Sequence, residues 1–282
     1  MLNITPVIRS LIEKSVTEDL GHGDITTDSL ISESLNGTAS IISKSNGVVS
    51  GLAVSIEVFR IISSSIKVKS IVTDGTTIGN GDEIAQINGS LSGILKGERL
   101  ALNFLQRLSG IATETSRYVD AVKGTNARII DTRKTTPGLR ELEKYSIRTG
   151  GGHSHRFNLS DGILIKDNHI AVLKAQGMTL TDVIHLAQQT APHPLRIEVE
   201  VETVEEAREA LAARADAILL DNMTTDQMRE VVELSAGRCL LEASGGINLD
   251  TVRPIASTGV DLISVGALTH SVKSLDLSLE ID

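Results

Sequence analysis

The chain has 282 residues, 40% of them hydrophobic, which is enough apolar sequence for about two domains or one large barrel. The formal net charge of −9 argues against general nucleic-acid binding, because an acidic surface repels phosphodiester backbones. The single cysteine, Cys239, rules out an internal disulfide, and no apolar run reaches the roughly 18–20 residues of a membrane helix. With no signal-peptide pattern either, the expected location is the cytoplasm, with neither nucleic acid nor a membrane as partner.

The first 110 residues predict a small domain that mixes helices and strands. Thr5 can cap a helix over residues 5–18, whose apolar side chains share one face. Strand patterns follow at residues 39–42, 47–49 and 66–72, and a short helix near 53–62 interrupts them. Strands flanked by helices indicate an α+β domain. A longer helix over about 97–123 leads into the rest of the chain.

From residue 127 onward, short apolar strands alternate with amphipathic helices. The strand patterns are 128–130, 163–165, 197–201, 217–220, 239–241 and 262–265, and helices fit at about 139–148, 179–190, 203–213, 224–236 and 248–257. Short continuous apolar runs are typical of parallel strands that are buried on both faces. Six such repeats predict an incomplete (β/α) barrel, with an open doubly wound sheet as the structural alternative.

Polar side chains follow all six predicted strands, at the point where each strand ends. These segments are 131–136, 166–169, 198–202, 221–222, 242–246 and 266–267. In α/β barrels, ligands bind beyond the carboxyl ends of the strands. The sequence therefore predicts one ligand site built from all six segments.

A basic stretch, residues 131–170, indicates the charge of the ligand. It holds more Lys and Arg than Asp and Glu, although the whole chain is acidic. Arg133 can bind a carboxylate or phosphate with two parallel hydrogen bonds, and Lys134 adds a point charge. After three glycines, His155 and Arg156 are further donors to an anion. The pattern favours a small polyanionic ligand over an ordinary solvated loop.

Lys166 and two carboxylates suggest further chemistry at the strand ends. Directly after a buried strand, Lys166 is either a charge clamp for an anion or, if desolvated, a Schiff-base nucleophile, and its basic neighbours favour the clamp. Glu200 and Asp221 end successive strands and are suitable ligands for Mg²⁺ that is bridged to phosphates. Asp221 can instead cap the helix that begins near Thr224.

Glycine-containing turns end the last two predicted strands. They are Ser244-Gly245-Gly246 and Gly266-Ala267, a place where barrel enzymes commonly bind phosphate through backbone N–H groups. His270 follows closely enough to reach the same phosphate. The motifs typical of nucleotide-dependent dehydrogenases and P-loop hydrolases are missing from the sequence.

Eight motifs, in this order, closely resemble the quinolinate phosphoribosyltransferase family, and the resemblance covers nearly the whole chain. They are Glu18–Thr27, Gly97–Asn103, Asp131–Arg140, Gly150–His169, Glu198–Val201, Leu220–Met223, Ser244–Ile247 and Gly266–His270. The resemblance implies an N-terminal α/β sandwich over residues 1–110, joined by segment 271–282, and a catalytic, incomplete TIM-like α/β barrel over 111–270. It also implies a homodimer, or a higher oligomer, in which Arg99 reaches the neighbouring subunit's site.

The reaction that the resemblance implies joins quinolinate to 5-phosphoribosyl-1-pyrophosphate and gives nicotinate mononucleotide, pyrophosphate and CO₂, a step of de novo NAD biosynthesis. The implied quinolinate-binding residues are Arg99, Thr132, Arg133, His155, Arg156 and Lys166. Those implied for phosphoribosyl pyrophosphate are Lys134, Asn168, Ser244, Gly245, Gly246, Gly266, Ala267, Leu268 and His270. Glu200 and Asp221 would hold Mg²⁺ directly or through water, and with Lys134 and Lys166 they form the expected catalytic set.

Three other functions stay open from the sequence. One is a related phosphoribosyltransferase-like protein associated with molybdate transport, against which the segment 166–169 argues. Another is a Schiff-base lyase on a barrel, with Lys166 as the nucleophile. The last is a non-catalytic barrel that only binds anions.

Overall fold

The computed structural model describes residues 2–281, and its contacts divide the chain into two compact units. One unit contains the residues up to 116, residues 135–151 and the residues from 269 onward; the other contains 117–134 and 152–268. In chain order the elements are α1 (Pro6–Leu20), α2 (Ile25–Leu30), β1 (Asn36–Ser43), β2 (Gly47–Val48), α3 (Leu52–Ile62), β3 (Lys67–Ser70), β4 (Thr77–Ile78), β5 (Glu83–Ser90), α4 (Leu91–Ala121), β6 (Arg128–Ile130), α5 (Arg140–Thr149), β7 (Ile163–Ile165), α6 (Asp167–Lys174), α7 (Leu180–Thr190), β8 (Ile197–Val201), α8 (Val204–Ala212), β9 (Ala217–Asp221), α9 (Thr225–Ser235), β10 (Leu240–Ser244), α10 (Val252–Ala256), β11 (Leu262–Ser264), α11 (Ala267–His270) and β12 (Leu277–Ile281).

An antiparallel sheet in the order β12–β1–β5–β3 forms the framework of the first unit. The predicted first helix is confirmed as α1, and the Thr5 side chain accepts a hydrogen bond from the backbone N–H of Ile8 at 3.2 Å. Ile12 of α1, Ile41 of β1 and Phe59 of α3 are fully buried in one apolar cluster. The α/β sandwich is therefore held together by aliphatic packing of helices against the sheet.

Strand β5 is a central element that the sequence does not predict, because turn residues flank a short apolar run. Ile84 and Ile87 are fully buried, and β5 pairs antiparallel with both β1 and β3. Gly89 has a φ of 150°, which a glycine adopts without strain, and this residue still pairs with Gly37 of β1. Partners that are distant in sequence therefore define this strand more than its own pattern does.

Helix α5 is predicted as a barrel helix, but its contacts group it with the first unit. The Ser50 hydroxyl donates to the Ser146 hydroxyl at 3.0 Å, and the Tyr145 hydroxyl donates to Asp74 Oδ2 at 2.7 Å. Burial, together with the carboxylate of Asp74, raises the pKa of Tyr145 to about 12. An amphipathic pattern shows that a helix has an apolar face, but it does not show which unit covers that face.

All neighbouring strands of the second unit run parallel, in the order β6–β11–β10–β9–β8–β7. The predicted six parallel strands are therefore confirmed. From β7 to β11 each new strand is added on the same side of the last one, and β6 lies at the far edge beside β11. A doubly wound sheet would reverse its direction of growth at a switch point, so this order is that of an incomplete barrel.

Among residues 2–281, no helix is both long and apolar enough to span a bilayer.

Candidate active site

A cavity of about 360 Å³ opens at the carboxyl ends of the barrel strands. Every one of the six strands contributes a residue within it or just after it, and His155 and Arg156 come from the segment between α5 and β7. The lining residues are Thr132, Arg133, Lys134, His155, Arg156, Leu164, Lys166, Glu200, Leu219, Asp221, Glu242, Ser244 and Ser264. The structure therefore brings five of the six predicted strand-end segments together at one cavity, whereas segment 266–267 is not part of the lining and β11 contributes Ser264 instead.

Positive side chains converge on this cavity. Arg133 and Arg156 are both half-buried, and Arg156 Nη1 donates to the carbonyl of Gly162 at 3.2 Å. Burial and the nearby charge of Arg133 lower the pKa of Arg156, while Glu198 opposes that shift. Lys166 Nζ lies 3.4 Å from Glu200 Oε2. Two guanidinium groups that repel each other in a partly desolvated cavity favour the binding of an anion.

Glu200 and Asp221 stand at the ends of the neighbouring parallel strands β8 and β9. Burial raises the pKa of Glu200, Lys166 lowers it, and the carboxylate of Asp221 raises it further. Asp221 Oδ2 accepts a hydrogen bond from Asn222 Nδ2 at 2.7 Å. Two hard oxygen donors in a cavity with room for phosphates and water match the ligand preference of Mg²⁺.

The alternative role of Asp221 as a helix cap is excluded by the geometry of helix α9. Thr224 is the N-cap residue, and its side chain accepts a hydrogen bond from the backbone N–H of Gln227 at 3.3 Å. The Gln227 side chain in turn accepts from the backbone N–H of Thr224 at 2.9 Å, which completes a capping box. The carboxylate of Asp221 therefore remains available to the cavity.

Asp131 fixes the segment that carries His155 and Arg156. This fully buried aspartate accepts a hydrogen bond from the backbone N–H of His155 at 2.8 Å. The backbone N–H of Asp131 donates to the carbonyl of His153. His153 also forms an isolated parallel β-bridge with Ile130 of β6. The segment after the three glycines is thus held against the barrel edge, so that His155 and Arg156 face the cavity.

The turn after β10 has a backbone conformation that favours glycine. Gly245 and Gly246 have φ values of 94° and 60°, and a Cβ atom on Gly245 would overlap the side chain of Asn222. The backbone N–H of Asn222 donates to the carbonyl of Ser244 at 3.0 Å, which holds this turn against the end of β9. After β11, the predicted loop is instead the start of a helix, because Ala267 and the buried Leu268 are the first two residues of α11.

Eight predicted site residues lie outside the lining of this cavity: Arg99, Asn168, Gly245, Gly246, Gly266, Ala267, Leu268 and His270. Arg99 is exposed on α4, and His270 ends α11; both belong to the first unit. Asn168 lies in the exposed first turn of α6, where its backbone N–H donates to Asp167 Oδ1 at 2.7 Å. The sequence does not predict α6 as a helix, because its first residues resemble a polar strand-end loop.

Two glutamates at this site are not among the residues that the sequence singles out as functional. Glu242 is 1% exposed, and Glu198 Oε2 lies 3.1 Å from His155 Nε2. Glu198 precedes Glu200 by two residues on the same strand, so the alternation of a strand already predicts that both side chains share a face. That signal does not reveal that Glu198 pairs with His155.

Comparisons with known proteins match both halves of the chain. Residues 24–109 match the family model described as quinolinate phosphoribosyl transferase, N-terminal domain, and residues 111–280 match the one described as its C-terminal domain. The chain belongs to the quinolinate phosphoribosyltransferase family.

Individual members of this family are similar over nearly their whole length. The chain is 44% identical to a probable nicotinate-nucleotide pyrophosphorylase [carboxylating] of Bacillus subtilis, over 97% of this chain and 93% of the relative. It is 40% identical to the nicotinate-nucleotide pyrophosphorylase [carboxylating] of Mycobacterium leprae, over 97% and 96% of the two chains. The crystal structure of NadC from Streptococcus pyogenes superposes with a TM-score of 0.94 at 40% identity and covers 100% of both chains.

Proposed function

We propose that this chain is a nicotinate-nucleotide pyrophosphorylase (carboxylating), which transfers a phosphoribosyl group from 5-phosphoribosyl-1-pyrophosphate to quinolinate. The products are nicotinate mononucleotide, pyrophosphate and CO₂. The observation that carries the proposal is the convergence of Arg133, Arg156 and Lys166 on one cavity that also contains Glu200 and Asp221. Family membership supports the same reaction.

Quinolinate carries two adjacent carboxylates and therefore needs several cations. Arg133 and Arg156 can each bind a carboxylate through two N–H groups, and Lys166 adds a point charge. The Thr132 hydroxyl adds a further donor, and His155 lines the same cavity. Arg99 is proposed to reach the cavity of the neighbouring subunit in a homodimer.

Phosphoribosyl pyrophosphate would occupy the rest of the cavity. The turn 244–246 and the segment 266–268 at the start of α11 would present backbone N–H groups to the 5-phosphate, with Asn168 as a further donor. Lys134 would bind the pyrophosphate. Glu200 and Asp221 would hold Mg²⁺, directly or through water, and the ion would neutralise charge on the departing pyrophosphate.

The chemistry requires positioning and charge stabilisation more than a protein nucleophile. As pyrophosphate leaves, C1 of the ribose acquires oxocarbenium character, which the carboxylates of Glu200 and Asp221 stabilise. The quinolinate nitrogen attacks this carbon and becomes a pyridinium. The bond from C2 to its carboxylate then breaks, and the electron pair left on C2 is stabilised by the adjacent positive nitrogen before C2 takes up a proton. Lys134 and Lys166 hold the two reactants in line.

The reducing cytoplasm is the proposed compartment of the enzyme. The chain has one cysteine, Cys239, which is compatible with a reducing environment.

Product analysis tests the proposed function. Purified protein with quinolinate, phosphoribosyl pyrophosphate and Mg²⁺ should release CO₂ and pyrophosphate in equal amounts, with nicotinate mononucleotide as the third product. Binding of either substrate without CO₂ release would favour a non-catalytic anion-binding barrel. Covalent trapping of a carbonyl substrate on Lys166 by borohydride would favour a Schiff-base lyase, and the Lys166→Arg variant is the control for that trapping.

A further inference from the structure

The His155 ring is held on both of its nitrogen atoms. Nδ1 accepts a hydrogen bond from the backbone N–H of Arg156 at 2.6 Å. Nε2 faces two carboxylates, at 3.1 Å from Glu198 Oε2 and 3.6 Å from Glu242 Oε2. An Nδ1 that accepts a hydrogen bond carries no proton, so the ring proton is on Nε2 and is donated to Glu198.

This tautomer shows whether the cluster of His155, Glu198 and Glu242 can bind a metal ion or is a set of hydrogen-bonded side chains. His155, Glu198 and Glu242 place their ligand atoms within 4.8 Å of one another, a spacing at which a metal ion can bind. A metal ion would need the Nε2 lone pair, which the proton occupies when Nδ1 is an acceptor. The geometry therefore favours a hydrogen-bonded cluster over a metal centre.

Glu242 supports Glu198 from deeper in the barrel. Its carboxyl group lies within 4.8 Å of that of Glu198. Burial and the charges of Glu198 and Asp131 raise the pKa of Glu242 well above the usual value. Within residues 2–281, Glu242 Oε1 has no hydrogen-bond partner. A carboxyl group that keeps its proton can donate to Glu198, which in turn accepts from His155.

Two members of the cluster, His155 and Glu242, line the cavity described above. A second cavity of about 410 Å³ begins at the amino ends of the strands, where Arg128 and Arg196 line it. His155, Arg156 and Glu242 line both cavities. Movement of the cluster would therefore displace the backbone that carries the Arg156 guanidinium.

We propose that Glu198 and Glu242 are positioning residues that act through His155 on Arg156. Glu242 donates to Glu198, Glu198 accepts from His155 Nε2, and His155 Nδ1 accepts from the Arg156 backbone. This series of contacts fixes the guanidinium against one carboxylate of the diacid. The inference rests on the proposed function, because quinolinate is taken to be the diacid.

Variants of Glu242 separate positioning from simple folding. Glu242→Leu removes the donor, and we expect the KM for quinolinate to rise about 10-fold or more while the KM for phosphoribosyl pyrophosphate stays within about two-fold. Glu242→Gln keeps an N–H donor toward Glu198, so it should restore the quinolinate KM to within about three-fold of the wild-type value. Glu198→Leu should reproduce the effect of Glu242→Leu.

Two kinetic results would overturn the proposal. One is an unchanged quinolinate KM in folded Glu242→Leu; the other is an equal rise in both KM values, with Glu242→Gln as impaired as Glu242→Leu. Nitrogen-15 NMR of the histidine rings, with a His155→Asn variant for assignment, tests the tautomer without any turnover. Protonated Nε2 and unprotonated Nδ1 are expected, and the reverse would contradict the series of contacts. Wild-type protein that fails to consume quinolinate would refute the proposed function, whereas the NMR result would still decide the positioning.

Discussion

Arg133 and Arg128 belong to the same short stretch of chain but serve opposite ends of the barrel. Arg133 lines the cavity at the carboxyl ends of the strands, and Arg128 lines the cavity at their amino ends. We predict that Arg133→Ala weakens quinolinate binding about 10- to 100-fold, because a charge-assisted bidentate contact is lost. Isothermal titration with quinolinate measures this effect.

Arg128→Ala is the matched control for that prediction. It removes the same type of side chain at the far end of β6, so quinolinate affinity should stay within about two-fold of the wild-type value. Thermal unfolding of both variants shows whether the fold has changed. Equal thermal destabilisation with unchanged affinity in Arg133→Ala would contradict the role assigned to Arg133.

The raised pKa of Glu242 predicts that the stability of the fold depends on pH. Its pKa in the folded protein is raised above 4.5 by burial and by Glu198, so the folded state keeps a proton that the unfolded chain has lost. The free energy of unfolding therefore falls as pH rises from 4.5 toward the raised pKa. Glutamine has no proton to lose, so Glu242→Gln should gain stability over the wild type as pH rises through that window.

Chemical denaturation at a series of pH values checks this behaviour. The stability difference between Glu242→Gln and the wild type should be smallest below pH 4.5 and should grow toward neutral pH. A difference that is constant with pH would mean that folding does not raise the pKa of Glu242.

At the scale of the elements, two residues between the end of β9 and the start of α9 have different roles. Thr224 caps the helix, whereas Asp221 faces the cavity. Thr224→Ala should therefore cost about 1 kcal/mol of stability and leave turnover largely unchanged. Asp221→Asn should retain the helix cap and lose most of the turnover, since it removes a carboxylate from the proposed metal site.

Denaturant unfolding and steady-state kinetics on the same two variants separate these tasks. Loss of turnover in Thr224→Ala together with full activity in Asp221→Asn would reverse the assignment.

The barrel strands could be predicted from sequence because each combines a short apolar run with a polar segment at its end. Strand β5 could not, since its pairing with β1 and β3 depends on residues far away in the chain. The sequence does not predict helix α6 either, for a different reason. Its first turn is polar and exposed, and Lys166 is an unusual residue at a helix N-cap.

The candidate site was predictable as far as the side chains at strand ends. Arg133, Lys166 and Glu200 follow directly from the alternation of strands and helices. The pairing of Glu198 with His155 needed coordinates, because β8 and the segment before β7 approach each other only in the folded barrel. A sequence pattern specifies which face a side chain occupies, but not its partner across the barrel.

At the scale of the whole molecule, the proposed homodimer makes a prediction about mixed subunits. If Arg99 completes the neighbouring subunit's cavity, Arg99→Ala and Arg133→Ala homodimers should each be nearly inactive. Mixing the two proteins under conditions of subunit exchange should restore one intact site per heterodimer, with up to about a quarter of the wild-type activity in an equimolar mixture, because half of the dimers are then mixed.

Purified tagged heterodimers allow the activity per dimer to be measured directly. A heterodimer that stays inactive while both subunits remain folded would show that the cavity does not depend on Arg99 of a second subunit.

The central claim is that the barrel cavity is built for a diacid. The most direct measurement compares kcat/KM for quinolinate with kcat/KM for nicotinate, which lacks the carboxylate at C2, in the presence of phosphoribosyl pyrophosphate and Mg²⁺. The convergence of Arg133, Arg156 and Lys166 predicts a preference for quinolinate of about 100-fold or more, because a second carboxylate engages cations that otherwise repel one another. Equal or better use of nicotinate would contradict the account.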